Sequence, residues 1–350
     1  MLRRRLEGDD ISNFFDVKAD RSRQTEPTSA WPNAQHFASV LKAHAKTKSP
    51  GGAKKALALL SYMERRFHDN AKMVHSDNGH LHTTDYHLNQ TNAAKPDIVC
   101  YCIVIDAFAN SRLLEASSVA LRLLNAVEAK YDAGDVLMKP NTRTYTAVIL
   151  SMVHSPFIED DRGKKINKAE RAWSMIERMK KNGVLPNSYT YNYVINCAAQ
   201  TNDAEEQQVS FEIALRAFQE LREKGRTESD MDHCHPDNFT FAFMLKACNN
   251  LLPAGTERTK TMTRIFRECC RSGYLNDAIL DRLCRGVSPN TFYELIEMKS
   301  SDRSGYMPKN TAQIHASELP RSWSRHDKSG RRTNKFPASS ASRRMVKKKS

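Results

Sequence analysis

The sequence predicts an all-α fold, a superhelical array (α-solenoid) of helical hairpins, and three observations predict it. A proline followed by Asn or Asp recurs five times with an aromatic residue five positions after the proline: Pro32-Asn33 with Phe37, Pro96-Asp97 with Tyr101, Pro140-Asn141 with Tyr145, Pro186-Asn187 with Tyr191, and Pro236-Asp237 with Phe241. Eight and nine residues after each proline stands an apolar pair: Val40-Leu41, Val104-Ile105, Val148-Ile149, Val194-Ile195 and Met244-Leu245. A second segment with apolar residues at helical spacing follows each of these.

Within each unit the aromatic and the apolar pair fall at i, i+3 and i+4, which is one face of a helix. A small residue comes eleven positions after each proline (Ala43, Ala107, Ser151, Cys197, Ala247), where it allows a neighbouring helix to come close. The proline is expected in the first turn, where its missing N–H has no intrahelical partner. The second helices are read in order from Ala53-Ala56-Leu57-Leu60-Met63, Ala120-Leu121-Leu124-Val127, Ala169-Ala172-Trp173-Ile176-Met179, Ala214-Ala217-Phe218-Leu221 and Met262-Ile265-Phe266-Cys269. One hairpin buries only part of its apolar face, so several must stack.

The spacing of the units is irregular, with successive anchor prolines 64, 44, 46 and 50 residues apart. From the proline to the second-helix apolar position is 24 residues in the first two units, and 32, 31 and 29 in the others, so extra residues lie between the paired helices. Further insertions follow the second helix at Phe67 to Lys95 and Arg226 to His235. The expected organisation is a weakly ordered segment over 1–30, the array with a C-terminal helical cap (Asn276 to Met298) over 31–298, and a disordered basic tail over 299–350.

Charge supports that division. Residues 301–350 hold 13 Lys/Arg against 3 Asp/Glu, so most of the net charge of +14 lies in the tail, leaving 41 against 37 for the rest. The tail, with Arg331-Arg332, Arg343-Arg344 and Lys347-Lys348-Lys349, lacks apolar periodicity and is read either as a sequence-independent phosphate clamp or as a solubilising extension. No apolar run is long enough to span a bilayer, and no membrane association is expected. The eight cysteines follow no disulfide framework or paired C-x-x-C, so free thiols in a reducing compartment are expected.

The run from Pro186 through Gly225 (PNSYTYNYVINCAAQ, then EIALRAFQELREKG) resembles a pentatricopeptide repeat, as does Pro140 to Gly183 (PNTRTYTAVILSMV, then KAERAWSMIERMKKNG). The nearest rival, a tetratricopeptide array, would carry a Trp/Leu-Gly/Tyr first-helix signature that is missing here. The family's standard unit is about 35 residues, shorter than the units of this chain. The resemblance implies a binder of single-stranded RNA, one base per repeat.

In that resemblance each base is read by the residue after the aromatic together with the residue after the next proline. The pairs here are Ala38 with Asp97, Cys102 with Asn141, Thr146 with Asn187, Asn192 with Asp237, and Ala242 with Asn290. Thr146 with Asn187 resembles the pair that favours adenine, and Asn192 with Asp237 the pair that favours uracil, so a short reader centred on an A-U step is implied. Two positions before each aromatic, Gln35, Val99, Arg143, Tyr189 and Phe239 occupy the positions that sandwich the base. Of these, Val99, Arg143, Tyr189 and Phe239 can pack or stack on a base face.

Residue chemistry also allows plainer roles. Asn187 and Asp237 are suitable helix N-caps, Thr146 and Asn192 suitable polar surface residues, and the five aromatics core residues. His68, His75, His80, His82 and His87 lack metal-ligand spacing and are read as a solvated loop, and His233-Cys234-His235 as a loop entrance. The chain has no P-loop, no G-x-S-x-G and no H-x-E with P-C-x-x-C, so no enzyme and no cofactor or metal is expected. The resemblance implies a mitochondrial or plastid protein, otherwise a cytoplasmic one, acting as a monomer on RNA, with other RNA-processing proteins as further partners. A protein-interaction scaffold is the alternative function.

Overall fold

Each Pro-[Asn/Asp] pair starts a helix, but the polar residue, not the proline, stands at the boundary. The computed structural model describes residues 32–76, 95–155, 158–159, 164–227, 234–296 and 314–326. In it α1 (Ala34–Lys46), α3 (Ile98–Ser111) and α5 (Thr142–His154) have Asn33, Asp97 and Asn141 as N-caps in extended backbone, each accepting a hydrogen bond from the amide three residues on. Asp237 does the same for a later helix. The prolines thus precede the cap instead of filling the first helical position, because the capping side chain must sit where the first-turn amides point.

Second helices follow where the apolar spacing places them: α2 (Pro50–Ser76), α4 (Ala116–Asp132) and α6 (Lys168–Lys181). The chain continues through α7 (Ser188–Ala198), α8 (Gln207–Thr227), α9 (Asn238–Leu251), α10 (Thr256–Ser272), α11 (Asp277–Gly286) and α12 (Pro289–Leu295). The expected all-α hairpin array is present. It forms two compact units, Met1–Tyr193 and Val194–Ser350.

In the first unit α1, α3 and α5 pack in a row, while α2 lies against both α1 and α3, and α4 against both α3 and α5. Tyr101, Val104, Ile105, Tyr145, Val148 and Ile149 are all buried, as the i, i+3, i+4 face requires. Burying such a side chain contributes roughly 1.5–3 kcal/mol. Val40 departs from the pattern at 45% exposed. Among the described residues no helix precedes α1.

The extra residues between α5 and α6 include a two-strand ribbon, β1 (Ile158–Glu159) antiparallel to β2 (Lys165–Ile166). The insertion expected from Phe67 begins as helix, since α2 runs on to Ser76. His80, His82 and His87 lie outside the described residues, and among those described no group of acidic, His and Cys side chains could hold a metal. No described helix is long and apolar enough to cross a membrane.

In the second unit α9 packs against α8, α10 and α11, and α11 and α12 follow within the span read as a C-terminal cap. Residues 314–326 depart from the expected disordered tail. Two 3-10 turns (Ala316–Glu318 and Arg321–Ser324) lie there, and the second packs on α10. Trp323 meets Phe266 edge-on at 6.2 Å, Leu275 N–H donates to Trp323 O at 2.8 Å, and His326 N–H donates to Gly273 O at 2.9 Å. Gly273, with φ 76°, ends α10 in the left-handed region and lets Arg325 lie against the backbone, where a Cβ would collide with it. One aromatic with backbone partners is enough to order this short stretch of a polar segment; residues 327–350 lie outside the described ones.

Candidate nucleic-acid interface

The residues flanking the cap form a small hydrogen-bonded unit at the start of the first helices of the third, fourth and fifth repeats. Four positions after the proline stands Thr144, Thr190 or Thr240, and all three are fully buried. Thr190 N–H donates to Asn187 Oδ1 at 3.1 Å, and the Thr190 hydroxyl donates to the same oxygen at 3.0 Å. Thr144 treats Asn141 Oδ1 in the same way, with both contacts at 3.1 Å, and Thr240 treats Asp237 Oδ1 likewise at 2.9 and 3.0 Å. In return the backbone N–H of Asn187 reaches Thr190 Oγ1 at 3.3 Å. This is a reciprocal cap, in which threonine takes the role that Glu or Gln has in the familiar capping box.

The threonine also reaches the repeat before it. Thr146 Oγ1 is 2.9 Å from Thr190 Oγ1, and Cys102 Sγ is 3.1 Å from Thr144 Oγ1. The two members of a reading pair therefore do not touch directly but meet through the intervening hydroxyl: Thr146, Thr190, Asn187 in one case and Cys102, Thr144, Asn141 in the other. A hydroxyl has a single proton. With the Thr190 proton on Asn187, the Thr146 hydroxyl must donate to Thr190, and its own oxygen keeps lone pairs for an outside donor.

The cap also decides how Asn187 presents itself. Its oxygen is held by two donors, so the Nδ2 amide group points away from the cap; the network itself assigns the two ends of the carboxamide. Capping and reading are thus compatible in one side chain. Thr146 and Asn187 are both half-buried and reachable from solvent.

The other reading positions vary in access. Asn141 is exposed, and Ala38 and Asp97 are half-buried. Cys102 is only 4% exposed and Asn192 only 2% exposed, so neither stands on an open surface as a reader in a groove would. For Cys102 the reason is plain: Thr144 covers its thiol. Asp237, in the second unit, caps α9. Ala242 is buried. Asn290 does not share the cap geometry: Ser288 caps α12 and Pro289 is its first residue, so the pattern ends before α12.

The positions expected to sandwich a base are the most exposed apolar ones on these helices. Tyr189 is 60% exposed, Phe239 53% and Val99 45%, although each belongs to a helix whose other apolar residues are buried or half-buried. Gln35 is exposed too. Arg143 differs, since its guanidinium pairs with Asp106 of the preceding first helix, Nε lying 3.0 Å from Oδ2. The pairing raises its pKa further above the ordinary arginine range, with the Asp106 hydrogen bond as the main cause. It is a tethered plate and not a free cation.

Beneath this edge the repeat aromatics do more than fill the core. Tyr101 Oη donates to Glu64 of the preceding second helix and contacts Lys130 of its own, whose Nζ is 2.6 Å from Glu64. Tyr145 Oη donates to Glu128 at 2.5 Å and accepts from Asn182 Nδ2 at 2.7 Å, while Arg178 also pairs with Glu128. Successive repeats are therefore pinned by a buried phenol, an acid and a base. Burial, with Glu64 and Glu128 as the next causes, holds both phenols well above the usual tyrosine range. In the sequence its signal is the tyrosine at this position in the three middle repeats, where the first and last have phenylalanine.

With this geometry in place, the comparison with known families is decisive for one stretch. Residues 164–200, which run from β2 through α6 and α7, match the PPR repeat family. The chain contains a pentatricopeptide repeat. The match includes Asn187 and Thr190 of the cap, with Tyr189 and Asn192 beside them. No curated protein matches the chain.

Proposed function

We propose that this PPR-repeat protein binds single-stranded RNA along the capped ends of its first helices, and that the third repeat selects adenine through Thr146 and Asn187. The observation that carries the reading is the fixed polarity of that pair. Thr146 offers an acceptor and Asn187 a donor, side by side and joined through Thr190. Adenine presents the complement, an exocyclic amino donor beside a ring-nitrogen acceptor, and an unlike base leaves polar groups unpaired. Exposed Tyr189 and Val99 in the same unit supply faces for the base planes.

Asp97 and Asp237 cap in the same way through one carboxylate oxygen, so at those repeats the group turned toward a base is an acceptor. Uracil, with a ring N–H donor, fits such a position. The family resemblance makes an organellar transcript, in mitochondrion or plastid, the expected target, with stabilisation, processing or translation as the outcome and no chemistry by the protein itself.

The test is fluorescence anisotropy of the full chain with labelled single-stranded RNAs that differ at one base, at near-physiological salt. Asn187→Asp keeps the cap but replaces the outward donor with an acceptor. Adenine preference at one position is expected to disappear, at about 1–3 kcal/mol, with unfolding unchanged within about 0.5 kcal/mol. Absence of RNA binding, or an unaltered base preference, would overturn the proposal, and the first result would favour a protein scaffold.

A further inference from the structure

The second unit carries a cationic surface that base reading does not use. On α10 the side chains turned away from the core are Lys260, Arg264, Arg267 and Arg271, at i, i+4, i+7 and i+11, and all four are exposed. By the 1.5 Å rise they place a positive charge about every 5–6 Å along the helix. Lys260 pairs with Glu257 at 2.9 Å, whereas among the described residues no carboxylate pairs with Arg264, Arg267 or Arg271. The nearby Glu268 is engaged by Arg222 at 2.6 Å.

The docked C-terminal segment extends this stripe. Arg325 Nη2 donates to Arg271 O at 3.0 Å, and Arg271 Nε donates to Arg267 O at 3.3 Å, so two guanidinium groups are held in place by backbone with N–H groups to spare. A cavity of about 730 Å³ opens between them, with Phe266 and Trp323 at its wall and Glu294 as its one acid. A second hollow of about 420 Å³ lies along the stripe and shares Arg267 and Arg271 with it.

We propose that this face of α10, completed by Arg325, binds the phosphodiester backbone of the same single-stranded RNA without regard to sequence; the inference rests on RNA being the partner. Three arginines free of carboxylates suit phosphate, because the guanidinium fork binds phosphate oxygens in pairs. The partly exposed Trp323 beside them offers a face on which any base can stack. Nothing on this face resembles the donor-acceptor pairs of the capped helices, so it adds affinity and not specificity.

The experiment measures RNA affinity of the full chain against salt for the wild type, for Arg264→Gln/Arg267→Gln/Arg271→Gln, and for Arg285→Gln, an exposed arginine that already pairs with Asp281. Loss of three phosphate contacts lowers the slope of log K against log salt by about 2 for a single strand. The expected result is that drop in the triple variant, with equal weakening for every RNA sequence, an unchanged melting curve, and a wild-type slope in Arg285→Gln. Wild-type binding with an unaltered slope in the triple variant would overturn this inference alone, as would a change of base preference without a change of slope. Failure of the wild type to bind any RNA would instead remove the functional proposal on which it rests.

Discussion

Replacing Thr190 by Val tests whether the buried hydroxyl couples reading to folding. Val keeps the β-branched shape in a site with no exposure to solvent, so the change removes one oxygen and little else. Three contacts go with it: to Asn187 Oδ1 at 3.0 Å, from Asn187 N–H at 3.3 Å, and from Thr146 Oγ1 at 2.9 Å. At about 1 kcal/mol net each, offset by about 0.8 kcal/mol for one more buried methyl group, the loss is about 2 kcal/mol. The Thr190 backbone N–H still reaches Asn187, so the helix stays capped.

The functional effect is separate. Without Thr190 as acceptor, the Thr146 hydroxyl is free to donate as well as accept, and the adenine preference at that repeat falls about 5-fold. Urea unfolding gives the first quantity, and anisotropy with RNAs differing at that base gives the second. Thr190→Ser restores the hydroxyl and both properties. If Thr190→Val unfolds at the wild-type midpoint and keeps its base preference, or if Ser rescues neither, the relay has no role.

Two further predictions follow from the interior. Tyr145→Phe removes a hydroxyl that bonds Glu128 and Asn182, while the ring still packs as Phe37 and Phe241 do in their repeats. A loss of about 1–2 kcal/mol in urea is expected, coupled to Glu128→Gln in a double-mutant cycle by at least about 0.5 kcal/mol, and strict additivity would refute the network. Alkaline pH should unfold the protein steeply: burial pushes Cys100, Cys248 and Cys270 from 9.0 up to about 12. The fold thus favours their protonated forms, so the stability they contribute is full below pH 9 and is lost as pH rises toward 12, at about 1.4 kcal/mol per pH unit for each thiol. Circular dichroism against pH checks the sign, and stability that rises over that window would contradict it.

Much of the architecture was legible in the residues because repetition supplied it. Five occurrences of one pattern located the first helices and most of the buried face of each, and the apolar spacing located their partners. The same repetition fell short where units differ. The ribbon of Ile158–Glu159 with Lys165–Ile166, the helical extension of α2 and the docked turn at 321–324 depend on local pairings that recur nowhere else among the described residues.

At the interface the division is physical. Sequence alone established that Asn or Asp follows each anchor proline and that Val99, Tyr189 and Phe239 stand two before a core aromatic, while the pairing of Thr146 with Asn187 was what the family resemblance implied. Only the tertiary structure decided that these residues cap helices, because a cap is defined by which amides lack partners in the first turn. It also decided that Cys102 and Asn192 are buried, that Arg143 is held by Asp106, and that a threonine joins the Cys102–Asn141 and Thr146–Asn187 pairs. Hydrogen-bond direction depends on which atoms meet in space, and residues 44 positions apart such as Thr146 and Thr190 meet only when one repeat is laid against the next.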